Sequence, residues 1–190
     1  MSRQTALVTI LVVTVLTVFA DYVRAADFPR HLQVGEQRLV LNGWGARTKT
    51  FLQLYVAGLY LTHPSTNPTA IVSADEPMAI RIQITSVFVS QEKLVTSLSE
   101  GFHNATGGNV APIQRQIDQF RQCFKDPITK GDVFDIVYVP KYGVRVNKNS
   151  SFKGVVAGTE FKQALFNVWL SDKPADKNLK QAMLTRGTTR

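Results

Sequence analysis

Phe51–Leu61, FLQLYVAGLYL, is the stretch whose reading decides the fold. It is rich in aromatic, aliphatic and β-branched side chains, and residues of both parities are apolar apart from Gln53. A strand that is apolar on both faces belongs inside a sheet covered on both sides. His63-Pro64 ends it, because the residue before a proline is held extended and proline has no N–H to give a ladder. Upstream, Arg38–Leu41 is strand-like, and Asn42-Gly43-Trp44-Gly45 is expected to break it. Downstream, Met78–Thr85 alternates, with Ile80, Ile82 and Ile84 on one face and Arg81, Gln83 and Thr85 on the other. That pattern predicts a half-buried strand.

Further out the period changes. Ser90 is placed to cap a helix running to about Asn104, with Leu94, Leu98, Gly101 and Phe102 inward and Glu92 near its positive end. Pro112 opens a second helix, where its missing donor is harmless, and Ile113, Ile117, Phe120 and Phe124 mark the buried stripe. Phe28–Leu32 reads as an extended lead-in, Gly35-Glu36 as a turn and Thr69–Ala74 as one helical turn. Thr129-Lys130-Gly131-Asp132 is a turn before a hairpin of Val133–Val139 and Gly143–Val146, and Phe152–Ala157 supplies another strand. After Gly158-Thr159, Phe161, Ala164, Leu165, Val168 and Trp169 share a helical face. Pro174 is expected to open a last short helix carrying Leu179, Ala182 and Met183. Strands with helices grouped in the middle and at the end predict an α+β domain, a largely antiparallel sheet covered on one side by helices.

The chain has 190 residues. Arg3, the apolar run Ala6–Ala20 and the small residues ending at Ala25 read as a secretory signal peptide over 1–25, leaving 26–190 as a single domain, periplasmic or secreted. As a helix that run reaches roughly 22 Å, short of a bilayer's roughly 30 Å hydrocarbon core. An uncleaved anchor is the rival reading. No later segment approaches a transmembrane span. Lys and Arg number 22 against 14 Asp and Glu, a formal net charge of +8. Loss of Arg3, Arg24 and Asp21 with the leader would lower it to +7. The cations are scattered and export removes the chain from nucleic acid, so an anionic small molecule or an anionic membrane surface suits the charge better. Cys123, the only cysteine, excludes an intrachain disulfide and reads as a small buried hydrophobe.

Few residues carry chemistry. Arg47 follows Gly43-Trp44-Gly45, where backbone can come close to a bound group, and its guanidinium suits a carboxylate; a turn arginine in solvent is the plainer reading. The Gly-x-Gly piece lacks the strand-to-helix context of a dinucleotide fingerprint. Tyr55 and Tyr60 point to opposite faces of their strand, and a covered phenol needs a hydrogen-bond partner, either structural or a ligand. Arg47 and Tyr55 together suit one anionic head, yet in a continuous strand they stand roughly 26 Å apart. They meet only if the chain folds back between them.

His31, His63 and His103 are widely spaced and without a metal-ligand pattern, so no metal site is expected. There is no serine-hydrolase elbow, no P-loop, no cofactor motif and no paired carboxylates for acid–base work. Lys141, Arg145, Lys148, Lys153 and Lys162 outnumber Glu160, and read either as an anion-steering patch or as a lysine-guarded sheet edge. His103 and Asn104 are read as ending the middle helix.

Leu41-Asn42-Gly43-Trp44-Gly45-Ala46-Arg47-Thr48-Lys49, running on to Leu54-Tyr55-Val56-Ala57-Gly58-Leu59-Tyr60-Leu61, opens a longer pattern. Lys130-Gly131-Asp132, Val155–Phe161 and Val168-Trp169-Leu170-Ser171-Asp172-Lys173-Pro174 complete it. In this order they resemble the chalcone isomerase-like proteins of bacteria, over about Phe28 to Leu184. The resemblance implies an open-faced β-sandwich, a large antiparallel sheet with a helical layer and a ligand cleft between them.

Plant members cyclise chalcones to flavanones, while relatives of the same fold bind fatty acids through an arginine and a tyrosine. By resemblance Arg47 is that arginine, and Tyr55 stands where the binders have tyrosine and the isomerases threonine. The isomerases' own tyrosine is absent from Val89–Asn104, Asn104 matches their asparagine loosely, and Lys162 stands near their late threonine or serine. The Arg47-to-Tyr55 interval is shorter than in the plant proteins, which implies a trimmed hairpin. The function implied is an exported, non-catalytic binder of a small apolar anionic ligand such as a fatty acid. The alternatives are an envelope isomerase or intramolecular lyase, with Arg47 stabilising a phenolate or enolate, and a structural domain that meets a protein partner.

Overall fold

The computed structural model describes residues 28–185; the leader expected at 1–25 lies outside them. Seven strands follow one another in space as they do in sequence: β1 (His31–Val34), β2 (Gln37–Lys49), β3 (Leu52–Leu61), β4 (Met78–Ile84), β5 (Val133–Val139), β6 (Gly143–Lys148) and β7 (Ser151–Val156). Every neighbouring pair is antiparallel. The sheet curls around a helical layer, giving the α+β architecture expected. That layer holds α1 (Pro68–Ser73), α2 (Gln91–Ala105), α3 (Gln114–Gln122), α4 (Thr159–Leu170) and α5 (Lys177–Leu184). Among the described residues no helix is long and apolar enough to cross a membrane.

The helices bury the stripes that their periodicity marks. Ser90 caps α2, its hydroxyl accepting from the Lys93 N–H at 3.3 Å, and Leu94, Leu98, Gly101 and Phe102 are its buried residues. Phe102, Phe120 and Phe161, from α2, α3 and α4, stack at centroid distances of 5.6 to 6.0 Å. With Ile80, Ile82, Phe134, Ile136 and Leu165 they fill the space between sheet and helices. A smaller cluster of Leu39, Tyr60, Ala79 and Val137 lies on the outer face under Phe28, Leu32 and Val34. β3 is therefore covered on both sides, as its sequence demanded.

Besides Phe51, which leaves the strand expected at Phe51–Leu61 for the turn before β3, two boundaries differ from expectation. β2 does not break at Asn42–Gly45 but runs on to Lys49, with Asn42 bulged out of register. The bulge is held because Asn42, 1% exposed, donates to the carbonyls of Ser65 and Met183 and accepts from the Ser65 N–H, all at 2.8 Å. Gly43 and Gly45 are there for α5. A Cβ on Gly43 would lie 2.2 Å from the Ala182 carbonyl oxygen, and one on Gly45 would lie 2.6 Å from the Ala182 Cβ. The second difference is the start of α5. It begins after Asp176, whose carboxylate accepts from the N–H groups of Asn178 and Leu179, three residues beyond the proline turn.

Candidate ligand-binding site

β2 turns into β3 through only two residues, Thr50 and Phe51, with Lys49 opposite Leu52. Both have positive φ, +46° and +65°, as the tightest hairpin turns require. This reversal removes the distance that separates the two candidate side chains along an extended strand. Arg47 is the cross-strand neighbour of Tyr55, and a bulge at Leu54 follows immediately. On its other side β3 continues its register with β4 here, the Leu54 carbonyl accepting from the Thr85 N–H at 3.1 Å.

The pair is held in place by the helices. The Arg47 Cζ lies 5.6 Å from the centroid of the Tyr55 ring, and its Nη1 donates to the Ser97 hydroxyl of α2 at 2.6 Å. The Tyr55 hydroxyl accepts from the indole N–H of Trp169, on α4, at 3.0 Å. Indole can only donate, so the tyrosine oxygen is the acceptor in that bond. The hydroxyl's own hydrogen has no acceptor among the described residues. Burial pushes the phenol pKa up, against the opposing pull of Arg47 and Trp169, so Tyr55 is a neutral donor at physiological pH.

Arg47 and Tyr55 form part of the wall of a cavity of about 480 Å³ between the β2–β3 hairpin and α2. That volume falls inside the roughly 300–1,000 Å³ typical of small-molecule sites. Leu54, Val89 and Leu94 make its wall apolar, Ser97 adds a hydroxyl, and Lys49, Leu52, Phe88, Glu92, Lys93 and Glu100 stand at its exposed margin. Tyr55 is 2% exposed while Phe88 is 61% exposed, so the polar pair is at the inner end. A guanidinium with free N–H groups beside a phenol with a free hydrogen can receive a carboxylate, and the apolar wall can receive a hydrocarbon chain.

The other candidates lie elsewhere. Tyr60 faces the outer side, donating to the Pro29 carbonyl at 3.0 Å. In the basic segment two lysines are spent on carboxylates and one arginine lies over a ring. Lys148 pairs with Asp132 at 2.8 Å, Lys153 pairs with Asp126 at 2.7 Å, and Arg145 stacks over Phe152. Lys162 is not a surface cation at all. It is 1% exposed, donates to the carbonyls of Val72 and Ala74 at 2.7 and 2.6 Å, and lies away from the cavity wall. Burial pulls its pKa down to about 8. His103 and Asn104 are exposed at the end of α2, and Cys123 is buried.

Ser97 and Trp169 are the participants that the sequence did not single out. Trp169 carried a signal only as one more apolar residue on a helical face, and Ser97 carried none.

The family model described as chalcone isomerase-like matches residues 20–185. No curated protein matches the sequence. Among solved structures, a fatty-acid binding protein of Arabidopsis thaliana superposes with a TM-score of 0.65 at 19% identity, over 83% of this chain and 90% of that one. At that identity the likeness is one of fold.

Proposed function

The chain belongs to the chalcone isomerase-like family, and on that premise we propose that it binds an apolar carboxylic acid, such as a fatty acid, without converting it. One observation carries the reading. Arg47 and Tyr55 converge at the inner end of an apolar-walled cavity, with donor hydrogens unspent on both. The carboxylate accepts from the guanidinium and from the Tyr55 hydroxyl, and the chain lies along Leu54, Val89 and Leu94 toward Leu52 and Phe88. The fatty-acid binding protein of the same fold supports this choice of ligand class. With residues 1–25 read as a secretory leader, the encounter we propose is one outside the cytoplasm.

Binding is favoured over cyclisation by the character of the groups present. A proton-transfer catalyst needs a group poised near the working pH. Burial pushes the Tyr55 phenol further away from it.

The test is titration of the purified protein with long-chain fatty acids, with mass spectrometry of whatever small molecules co-purify. A lipid-like acid recovered near one per chain, and displaced by added fatty acid, supports the reading. Saturable binding that is indifferent to Arg47→Ala removes this site. Turnover of a chalcone above an Arg47→Ala control would replace binding with catalysis.

A further inference from the structure

We infer that the rim of this cavity docks onto an anionic phospholipid bilayer, through the hairpin tip at Phe51 and the loop tip at Val87-Phe88. Of the seven large apolar side chains exposed among the described residues, four ring this mouth or adjoin it: Phe51 at 101% exposure, Val87 at 73%, Phe88 at 61% and Leu52 at 38%. Large apolar groups clustered around one opening mark an interaction site.

The turn itself adds to this. A two-residue hairpin with positive φ at both positions favours Asn-Gly, because a β-branched or aromatic residue is strained there. Here the positions hold Thr50 and Phe51, and Phe51 is fully exposed, packed on none of the described residues. A large apolar side chain held out from the fold at a turn of this geometry is available for a contact outside the chain.

A bilayer fits this surface because the apolar groups stand on two separate tips, each with a lysine at its base. Lys49 precedes the hairpin turn, and Lys93 donates to the Phe88 carbonyl at 3.2 Å. Apolar tips at the acyl boundary with ammonium groups at the phosphates is the arrangement of interfacial proteins, and the chain's formal net charge of +8 adds attraction at longer range. Glu92 and Glu100 also line the cavity, on α2. The cavity opens between the tips, so an apolar guest can pass between bilayer and protein without crossing water. The docking stands on the rim and does not require the acid-binding reading.

A Phe51→Trp variant of the full chain reports directly on the tip. With vesicles of phosphatidylcholine and phosphatidylglycerol carrying brominated acyl chains, the added indole should shift to the blue and be quenched. The effect should weaken in pure phosphatidylcholine and in high salt. A Thr50→Asn/Phe51→Gly variant, whose turn suits the geometry better, should melt no lower than the parent yet partition onto the vesicles roughly ten-fold less.

Reading the same position in the same chain separates this contact from any made by the apolar run at 6–20. An indole that stays unquenched while the protein floats with the vesicles overturns the inference. So does quenching that is indifferent to phosphatidylglycerol, or an emission shift that follows protein concentration without lipid, which would make the rim an interface between copies. Vesicle docking that persists when fatty-acid binding is absent sinks the ligand reading alone. Fatty-acid binding retained by the Thr50→Asn/Phe51→Gly variant confirms that the two are separate.

Discussion

Trp169 donates its indole hydrogen to the hydroxyl of Tyr55 at 3.0 Å, joining α4 to β3 inside the protein. The bond fixes which way the phenol can act. With the oxygen already accepting, Tyr55 faces the cavity as a donor, beside an arginine that is also only a donor. Such a site is specific for a group that accepts, and an anion accepts best.

Tyr55→Phe should therefore have two effects. It removes the acceptor of a buried indole N–H, at a cost of about 1–3 kcal/mol in stability. It also deletes one charge-assisted bond to a carboxylate, weakening fatty-acid binding about ten-fold. Urea unfolding and calorimetric titration check the two separately. A variant that binds as tightly as the parent would exclude Tyr55 from the head-group site.

Arg47 should not be replaceable by lysine. The guanidinium donates to Ser97 and keeps a planar fork for the ligand, whereas an ammonium offers a point charge with different reach. Arg47→Ala and Arg47→Lys should each lower affinity for a long-chain acid by roughly ten- to a hundred-fold. Binding of the uncharged methyl ester of the same acid should change little. Equal losses for acid and ester would show that the substitution deforms the cavity instead of removing the charge partner.

Lys162 gives a pH signature. Its pKa drops from 10.5 to about 8 on folding, chiefly through burial, with Asp75 opposing. Between those values the unfolded chain holds more protons than the folded one, so this group makes stability rise with pH, by up to about 1.4 kcal/mol per unit. Cys123 and Tyr55, whose pKa values burial raises, act in the opposite sense at alkaline pH. The comparison is therefore parent against Lys162→Met, by urea unfolding from pH 7 to 10. The parent should gain stability relative to the variant as pH rises through 8, and parallel curves would contradict the depressed pKa.

The β2–α5 contact offers a rescue experiment. Gly45→Ala puts a methyl group against the Ala182 Cβ, and should lower stability by about 1–3 kcal/mol. Ala182→Gly costs about 1 kcal/mol as a helix substitution, but in the double variant it should recover part of the loss. Gly43→Ala meets the backbone carbonyls of Ala182 and Met183, and should not be rescued by it. Simple additivity at Gly45 and Ala182 would mean that the two do not touch.

The misreadings have a common origin. Asn42-Gly43-Trp44-Gly45 looks like a chain break because glycine and asparagine usually end strands. Here they serve a helix near the other end of the chain, and no local pattern reveals that. Lys162 looks solvated because lysine usually is, and its two carbonyl partners at the end of α1 lie 90 and 88 residues away. The turn at Thr50-Phe51 carries no local signal because it lacks the Asn-Gly signature, so only the family resemblance implies a hairpin between Arg47 and Tyr55.

Where neighbouring residues set the outcome, the sequence was sufficient. Helix faces such as Leu94, Leu98, Gly101 and Phe102, the two-sided burial of β3 and the α+β class all follow from the spacing of apolar side chains along a regular backbone. The Arg47–Tyr55 pairing, the Trp169 donor behind it and the burial of Lys162 belong to the tertiary structure. Each depends on which distant segment is brought alongside, and that is chosen by the packing of the whole core.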